Sequence, residues 1–363
     1  MTKSPAAYFS PDYGAARGRF RAAAEAAGAR LECHPHPARG PAGEALATDT
    51  ALSGPAEAER VLVTLSATHG AEGFCGSGLQ VGWYESGLAG ALPDGVAVLQ
   101  VHAINPHGFA WLRRVTEDNV DLNRNFVDHD KPYPENPGYE ELHEALCPRE
   151  WNDAVIAETW KALLAYGEKH GPAALQEAIT GGQYRHPDGL FYGGSAPTWS
   201  RETLLGIVQR ALPAARHVAV IDYHTGLGPR GHGERITVHR PGSPGLARAQ
   251  DWYAGDVTSP HLGNSVSAPL QGVNLSGIEA ALPRAAVTAI ALEYGTIPTE
   301  QVKLALRADN WLHVHGDPAS AKGRAIKRQI REAFYQDADD WKAAVWDRAV
   351  ETLRLALAGL TES

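Results

Sequence analysis

The chain of 363 residues, 44% hydrophobic and 21% charged, has the composition of a globular protein large enough to bury an extended core. Its formal charge of −9 argues against a nucleic-acid or anionic-membrane partner, either of which needs a basic face, and no apolar run approaches the roughly 20 residues that span a bilayer. The first twenty residues lack the apolar stretch of a signal peptide, and Cys33, Cys75 and Cys147 are odd in number and scattered, so a cytoplasmic protein with reduced thiols is expected.

In chain order, residues 14–28, GAARGRFRAAAEAAG, are alanine-rich and end on Gly28, which predicts a surface helix with a glycine stop. A Pro/Gly loop is expected next, and then a buried strand over 60–67, where Val61, Leu62, Val63 and Leu65 form an uncharged apolar run. His69 follows that strand's carboxyl end, the edge where ligands bind in open α/β sheets. Glu72 comes three residues later, and Gly70 and Gly73 permit the sharp turn that lets the two converge. This His-x-x-Glu occurs once in the chain. Cys75 lies close by and reads as a buried structural thiol. Residues 74–88 read as a helix and 95–103, GVAVLQVHA, as a second strand, which predicts a right-handed crossover between parallel strands.

The polar stretch 105–126, NPHGFAWLRRVTEDNVDLNRNF, places Arg113, Arg114 and Arg124 with Asn123 and Asn125 just beyond that second strand. A single arginine is most simply a solvated surface residue. Three emerging beside His69 and Glu72 suggest a clamp for an anion, because guanidinium grips carboxylate through two parallel hydrogen bonds.

Residues 128–150, with four prolines, read as an irregular surface segment, and 151–179 as helix interrupted near Gly171-Pro172. The Gly-, Pro- and aromatic-rich stretch 180–200 has no core pattern and reads as a functional loop, followed by a helix over 201–212. A third buried strand, HVAVIDY at 217–223, leads to His224 just past its end. Gly226, Gly228 and Gly231 spell G-x-G-x-x-G, but Pro229 and the strand-like 234–239 exclude the helix which that motif must open. Residues 243–255 are a helix candidate and 256–286 are loop-rich. The last strand, VTAIALEY at 287–294, carries Glu293. The chain turns helical from 298, with two helices in 320–358 separated near Asp337. With no internal repeat and no dividing linker, one α/β domain over 1–363 is expected, with insertions near 128–215 and a helical C-terminal segment 298–363.

Strand ends thus deliver His69 with Glu72, then His224, then Glu293. Two imidazoles and a carboxylate that leave a coordination position open match a catalytic zinc site and suit a hard oxygen-seeking ion poorly. Glu293, not spent on the metal, is placed to act as general base, and the arginines of 113–124 to hold a substrate carboxylate and steady an oxyanion. A lone strand-end histidine is more often a hydrogen-bonded core or surface residue, but here several strands coincide. Neither HExxH nor G-x-S-x-G occurs.

HGAE at 69–72, NVDLNRNF at 119–126, DYHTG at 222–226 and EYGT at 293–296 resemble the ordered motifs of the zinc carboxypeptidase superfamily, which includes the succinylglutamate desuccinylase and aspartoacylase branch. GLFYGG at 189–194 and APTWS at 196–200 resemble loops of a poorly characterised bacterial carboxypeptidase-like subfamily. The resemblance implies a mixed, twisted sheet of about eight strands between helices. It implies one zinc ion held by His69, Glu72 and His224, with Glu293 as base. Asn123 and Arg124 would bind the substrate carboxylate, and Arg114, with Arg113 as the second candidate, would polarise the scissile carbonyl. The leading expectation is a carboxypeptidase-like hydrolase that removes the C-terminal residue of a short peptide; the alternative is an N-acyl amino acid deacylase using the same metal, base and anion clamp. The tyrosine that closes over peptide in well-known carboxypeptidases has no clear counterpart, since Tyr253 lies far upstream of Glu293 and Tyr294 adjoins it. A metal-free binding module on the same fold is the third alternative.

Overall fold

A computed structural model describes residues 3–362. Among these residues seven strands form one sheet: β1 (Arg30–Arg39), β2 (Ala45–Ser53), β3 (Arg60–Leu65), β4 (Val96–His102), β5 (His217–Arg230), β6 (Gly233–Thr237) and β7 (Ala286–Gly295), in the order β1-β2-β4-β3-β5-β7-β6. The four central strands β4, β3, β5 and β7 run parallel. The flanking pairs β1–β2, β2–β4 and β6–β7 are antiparallel, which makes the sheet mixed, as expected, with one strand fewer than eight. The parallel strands are buried on both faces, which is why they read as near-continuous apolar runs.

Alternation along these strands feeds two helical layers. Leu62, Ala219, Ile221 and Leu292 face the helices Tyr13–Ala26, Gly73–Glu85 and Asp339–Glu362. Val61, Val63, Val220 and Ala289 face the helices Trp199–Ala211 and Asn274–Ala281. A third cluster joins the inserted residues to the C-terminal segment: Tyr139, Leu142 and Ile179 pack with Ala305, Leu306, Ile330 and Phe334. No helix among the described residues is long and apolar enough to cross a membrane.

Several elements depart from expectation. β1 and β2 occupy the expected Pro/Gly loop. Pro35 and Pro37 cannot donate to a ladder, yet β1 is the sheet's edge, where proline is tolerated. Within the proline-rich 128–150, Pro137–Leu146 is helical, with Pro137 in its first turn and the Asn136 side chain capping Tyr139 N. Asn274–Ala281 is a further helix in the loop-rich stretch. β5 runs beyond Tyr223, so His224 lies inside a strand and pairs in register with Glu293 of β7. The ladder breaks between Thr225 and Arg230, where Gly226 and Gly228 take positive φ angles of 126° and 91°.

Candidate metal centre and its cavity

His69 leaves β3 and precedes a single 3-10 turn, Gly70–Glu72, that runs into the helix Gly73–Glu85. The arginine-bearing loop lies directly on this turn: Gly70 N donates to Arg114 O at 3.1 Å and Ala71 N to Arg113 O at 2.8 Å. A Cβ on Gly70 would meet the Gly108 backbone at 2.0 Å, so only glycine allows that approach.

His69 Nδ1 and His224 Nδ1 each lie 3.0 Å from a different oxygen of Glu72, and one ligand atom from each of the three buried residues falls within 4.8 Å of the others. Each imidazole is held from behind by a second carboxylate. His69 Nε2 is 3.0 Å from Asp121 Oδ1, and His224 Nε2 is 2.7 Å from Asp222 Oδ2. A carboxylate on Nε2 fixes a proton there and aims Nδ1 at Glu72, to which His224 Nδ1 hydrogen-bonds at 3.0 Å, the orientation in which metal-ligating histidines are held. His69 Nδ1, although buried, makes no hydrogen bond, since its approach to Glu72 lies outside hydrogen-bond geometry. An orphaned ring nitrogen is costly to bury; facing a carboxylate and a second imidazole, it fits a two-histidine, one-carboxylate zinc site.

The carboxylates behind the histidines are themselves secured. Asp222 accepts from Thr68 Oγ1 at 2.9 and 3.0 Å and from Asn274 Nδ2 at 2.7 Å. Asp121 accepts from Asn123 N at 2.9 Å and Arg114 Nε at 3.0 Å. Burial pushes the Asp121 carboxyl up, but Arg114, His69 and Arg124 outweigh it and hold the group well below the usual carboxylate range. Burial likewise opposes ionisation of Glu72, and the pull of His69 and His224 prevails. Glu293 differs: burial, reinforced by the Glu72 charge, pushes its carboxyl up to about 8. Its Oε1 accepts from Leu227 N at 2.9 Å.

His69, Glu72, His224 and Glu293 open onto one cavity of about 920 Å³, whose wall also includes Arg114, Asn123 and Arg124. Arg114 NH1 reaches Glu72 Oε1 at 3.0 Å. Arg124 donates to the carbonyls of Asn123 and Thr180, while its buried Nε has no partner. Asn123 Oδ1 accepts from Asn274 N at 3.1 Å.

Arg113 stands apart and corrects one expectation. Leu112 takes a positive φ of 51° and Arg113 turns inward, to Asp309 Oδ2 at 3.5 Å and Asn119 Oδ1 at 2.9 Å, outside the cavity wall. The two tyrosines also lie elsewhere. Tyr294 Oη donates to Val345 O at 3.0 Å, Tyr253 is buried under Arg235, and among the described residues no tyrosine lines the cavity. Cys75 is buried, outside both the ligand cluster and the cavity wall.

Sequence reasoning missed Asp121, Asp222, Thr68 and Asn274. For Asp222 a signal existed, since a charge inside HVAVIDY, two residues before His224, shares that histidine's face of the strand. It also missed Phe191, whose ring lies 5.5 Å from the Arg114 guanidinium carbon and 5.7 Å from that of Arg124.

A family profile described as "Protein of unknown function (DUF2817)" matches residues 9–348. The chain belongs to that family. No curated protein matches this DUF2817 chain in sequence. Among solved structures, carboxypeptidase A from Helicoverpa armigera superposes with a TM-score of 0.50 at 11% identity, over 97% of this chain and 74% of that one. A glutaminyl cyclase from Fimbriiglobus ruber gives 0.43 at 12% identity, over 98% and 91%. A putative succinylglutamate desuccinylase/aspartoacylase from Shewanella frigidimarina gives 0.37 at 15% identity, over 79% and 72%. The fold of this DUF2817 protein is therefore carboxypeptidase-like, as its motifs implied.

Proposed function

We propose that this DUF2817 protein is a zinc-dependent hydrolase that cleaves an amide bond next to a free carboxylate, removing the C-terminal residue of a short peptide. One observation carries the reading. Two imidazole Nδ1 atoms converge on Glu72 with each Nε2 anchored to a carboxylate, in the wall of a cavity that also holds the Glu293 carboxylate, Arg114 and Arg124. His69, Glu72 and His224 would hold one zinc ion, which when bound supplies a Lewis acid that polarises the carbonyl and acidifies water.

The remaining residues divide the work. Asn123 and Arg124 hold the substrate carboxylate, Arg124 through the guanidinium N–H groups not given to the Asn123 and Thr180 carbonyls. Arg114 steadies the negative charge that grows on the carbonyl oxygen. Glu293 keeps Oε1 on Leu227 N, which leaves Oε2 to take a proton from the attacking water and return it to the departing nitrogen. Burial and the Glu72 charge raise its carboxyl to about 8, which makes the carboxylate a stronger proton acceptor than an ordinary one, and a cation held at Glu72 would favour the ionised form that acts as base. Residues 1–363 act as one catalytic unit in the cytoplasm, where Cys33, Cys75 and Cys147 stay reduced.

A second reading, N-acyl amino acid deacylation, is favoured by the lack of a tyrosine in the cavity wall among the described residues, since nothing there is placed to close over a peptide as in well-known carboxypeptidases. A panel of dipeptides, N-acetyl and N-succinyl amino acids, followed by mass spectrometry on zinc-loaded protein, separates the two. Cleavage confined to the acyl set removes the peptidase reading, and cleavage of neither set removes both. Zinc far below one equivalent in protein purified without chelator would favour a metal-free binding module instead.

A further inference from the structure

The cavity wall is cationic even though the chain carries a net charge of −9. Of its cations, Arg114 is paired with Glu72 and Asp121, and Arg230 with Asp340. Arg124 and Lys303 meet no carboxylate within 4.0 Å among the described residues, and neither does Arg240, which is exposed at the mouth. Lys303 is the one without an assigned task inside the cavity. It rises from the helix Thr299–His315, half-buried, and lines the cavity together with Asn123, Arg124 and Phe191. Burial lowers its ammonium from the usual value against a weaker opposing pull from Glu300.

Phe191 carries two of these cations over its ring, Arg114 and Arg124, while Lys303 stands elsewhere on the same cavity wall. Its φ of 54° is a conformation that bulky side chains rarely adopt. The neighbouring backbone holds it there, with Gln183 N donating to Phe191 O at 3.2 Å and Asp121 N to Tyr192 O at 2.8 Å. The ring is thus fixed by the same segment that anchors His69. An anion bound by Asn123 and Arg124 would still leave Lys303 on the same wall without a carboxylate partner within 4.0 Å among the described residues.

We propose that Lys303 is a specificity residue that receives a second acidic group, so that the preferred substrate is a dicarboxylate. The amino acid released, or the acyl group, would carry a carboxylate besides the one held by Asn123 and Arg124. This rests on the hydrolase reading above and deepens it by naming the substrate class.

The test compares kcat/KM of zinc-loaded protein within matched pairs: N-acetylglutamate against N-acetylglutamine, Ala-Glu against Ala-Gln, and N-succinylalanine against N-acetylalanine. The wild type should favour the acidic member of one pair by about 10- to 100-fold, as expected for a charge-assisted hydrogen bond, and that pair tells which side of the amide carries the second acid. Lys303→Met should bring the ratio close to one, Lys303→Arg should retain most of it, and Lys303→Glu should invert it. Calorimetric titration of metal-free protein with glutarate and butyrate gives a reading without turnover, with glutarate tighter in the wild type and not in Lys303→Met. Turnover with a ratio near one in the wild type, or a ratio unmoved by Lys303→Met, overturns the proposal and leaves the hydrolase reading standing. A Lys303-dependent preference for glutarate without hydrolysis of any pair upholds the anion site and overturns the hydrolase reading; neither turnover nor preference overturns both.

Discussion

Asp222→Asn tests whether the metal centre is built from its outer carboxylates. Asp222 is fully buried and offers only acceptors to three donors: His224 Nε2 at 2.7 Å, Asn274 Nδ2 at 2.7 Å and Thr68 Oγ1 at 2.9 Å. Asparagine keeps the shape but has one oxygen. The less costly orientation leaves that oxygen on the Oδ2 side, facing His224 and Asn274, and turns the amide NH₂ toward Thr68, whose hydroxyl can accept instead. His224 then keeps its proton on Nε2 but loses the negative charge behind it, so its Nδ1 becomes a poorer donor to the metal. Loss of such an outer partner lowers metal affinity by about 10- to 100-fold, or about 1.4–2.8 kcal/mol at 1.4 kcal/mol per tenfold. Competition with a chromophoric chelator gives the zinc dissociation constant, and circular dichroism checks that the fold is kept. Affinity within twofold of the wild type in a folded variant would show that Asp222 does not set His224 as a ligand, and would remove the observation on which the zinc reading rests.

Four further outcomes are expected. Glu293→Gln should keep its zinc while turnover falls about 10²–10⁴-fold; metal analysis showing the ion lost would make Glu293 a ligand instead of the base. Arg124→Ala should chiefly raise KM for substrates with a free carboxylate, because it removes binding common to ground and transition states; a fall in kcat at constant KM would refute this. Arg113→Ala should leave KM alone and lower Tm, since Arg113 pairs with Asp309 away from the cavity, and a raised KM would return it to the site. Burial holds His102 down to about 4, whereas an unfolded histidine titrates near 6.5, so the unfolded chain binds the extra proton and stability falls as pH drops from about 6.5 toward 4. The loss is about 2 kcal/mol at pH 5. Urea unfolding at pH 7.5 and 5 should show a smaller decline in His102→Gln, and equal declines would rule His102 out as the source.

How far the molecule could be read from its sequence depended on the range of the interactions that fix each part. The parallel core was legible because β3, β4, β5 and β7 each hold an unbroken apolar run, Val61–Val63, Val96–Leu99, Val218–Ile221 and Ala289–Leu292, and burial on both faces is a local property of such a run. β1 and β2 were not. They carry prolines and a fully buried Asp49 whose charge is met by Arg17 at 2.6 Å and Arg21 at 2.5 Å, from a helix elsewhere in the chain. Without those partners, ALATDTALS does not read as a buried strand.

The candidate site divides along the same line. His69 and Glu72 sit in one short turn and His224 and Glu293 side by side in neighbouring strands, so strand ends and motif order could bring them together. Arg113 and Arg114 are adjacent in an irregular loop with no period to separate them. Asp309, 196 residues from Arg113, is what draws one of them inward. Asp222 and Asp121 mark the boundary between the two cases. Strand period alone puts Asp222 on the face of His224, and a buried charge there requires a polar partner. Asp121 reaches His69 across 52 residues of chain, through a loop whose course depends on Gly70 admitting the Gly108 backbone. The candidate ligands and Asp222 follow from local pattern, whereas Asp121 and the inward turn of Arg113 are set by contacts between distant segments.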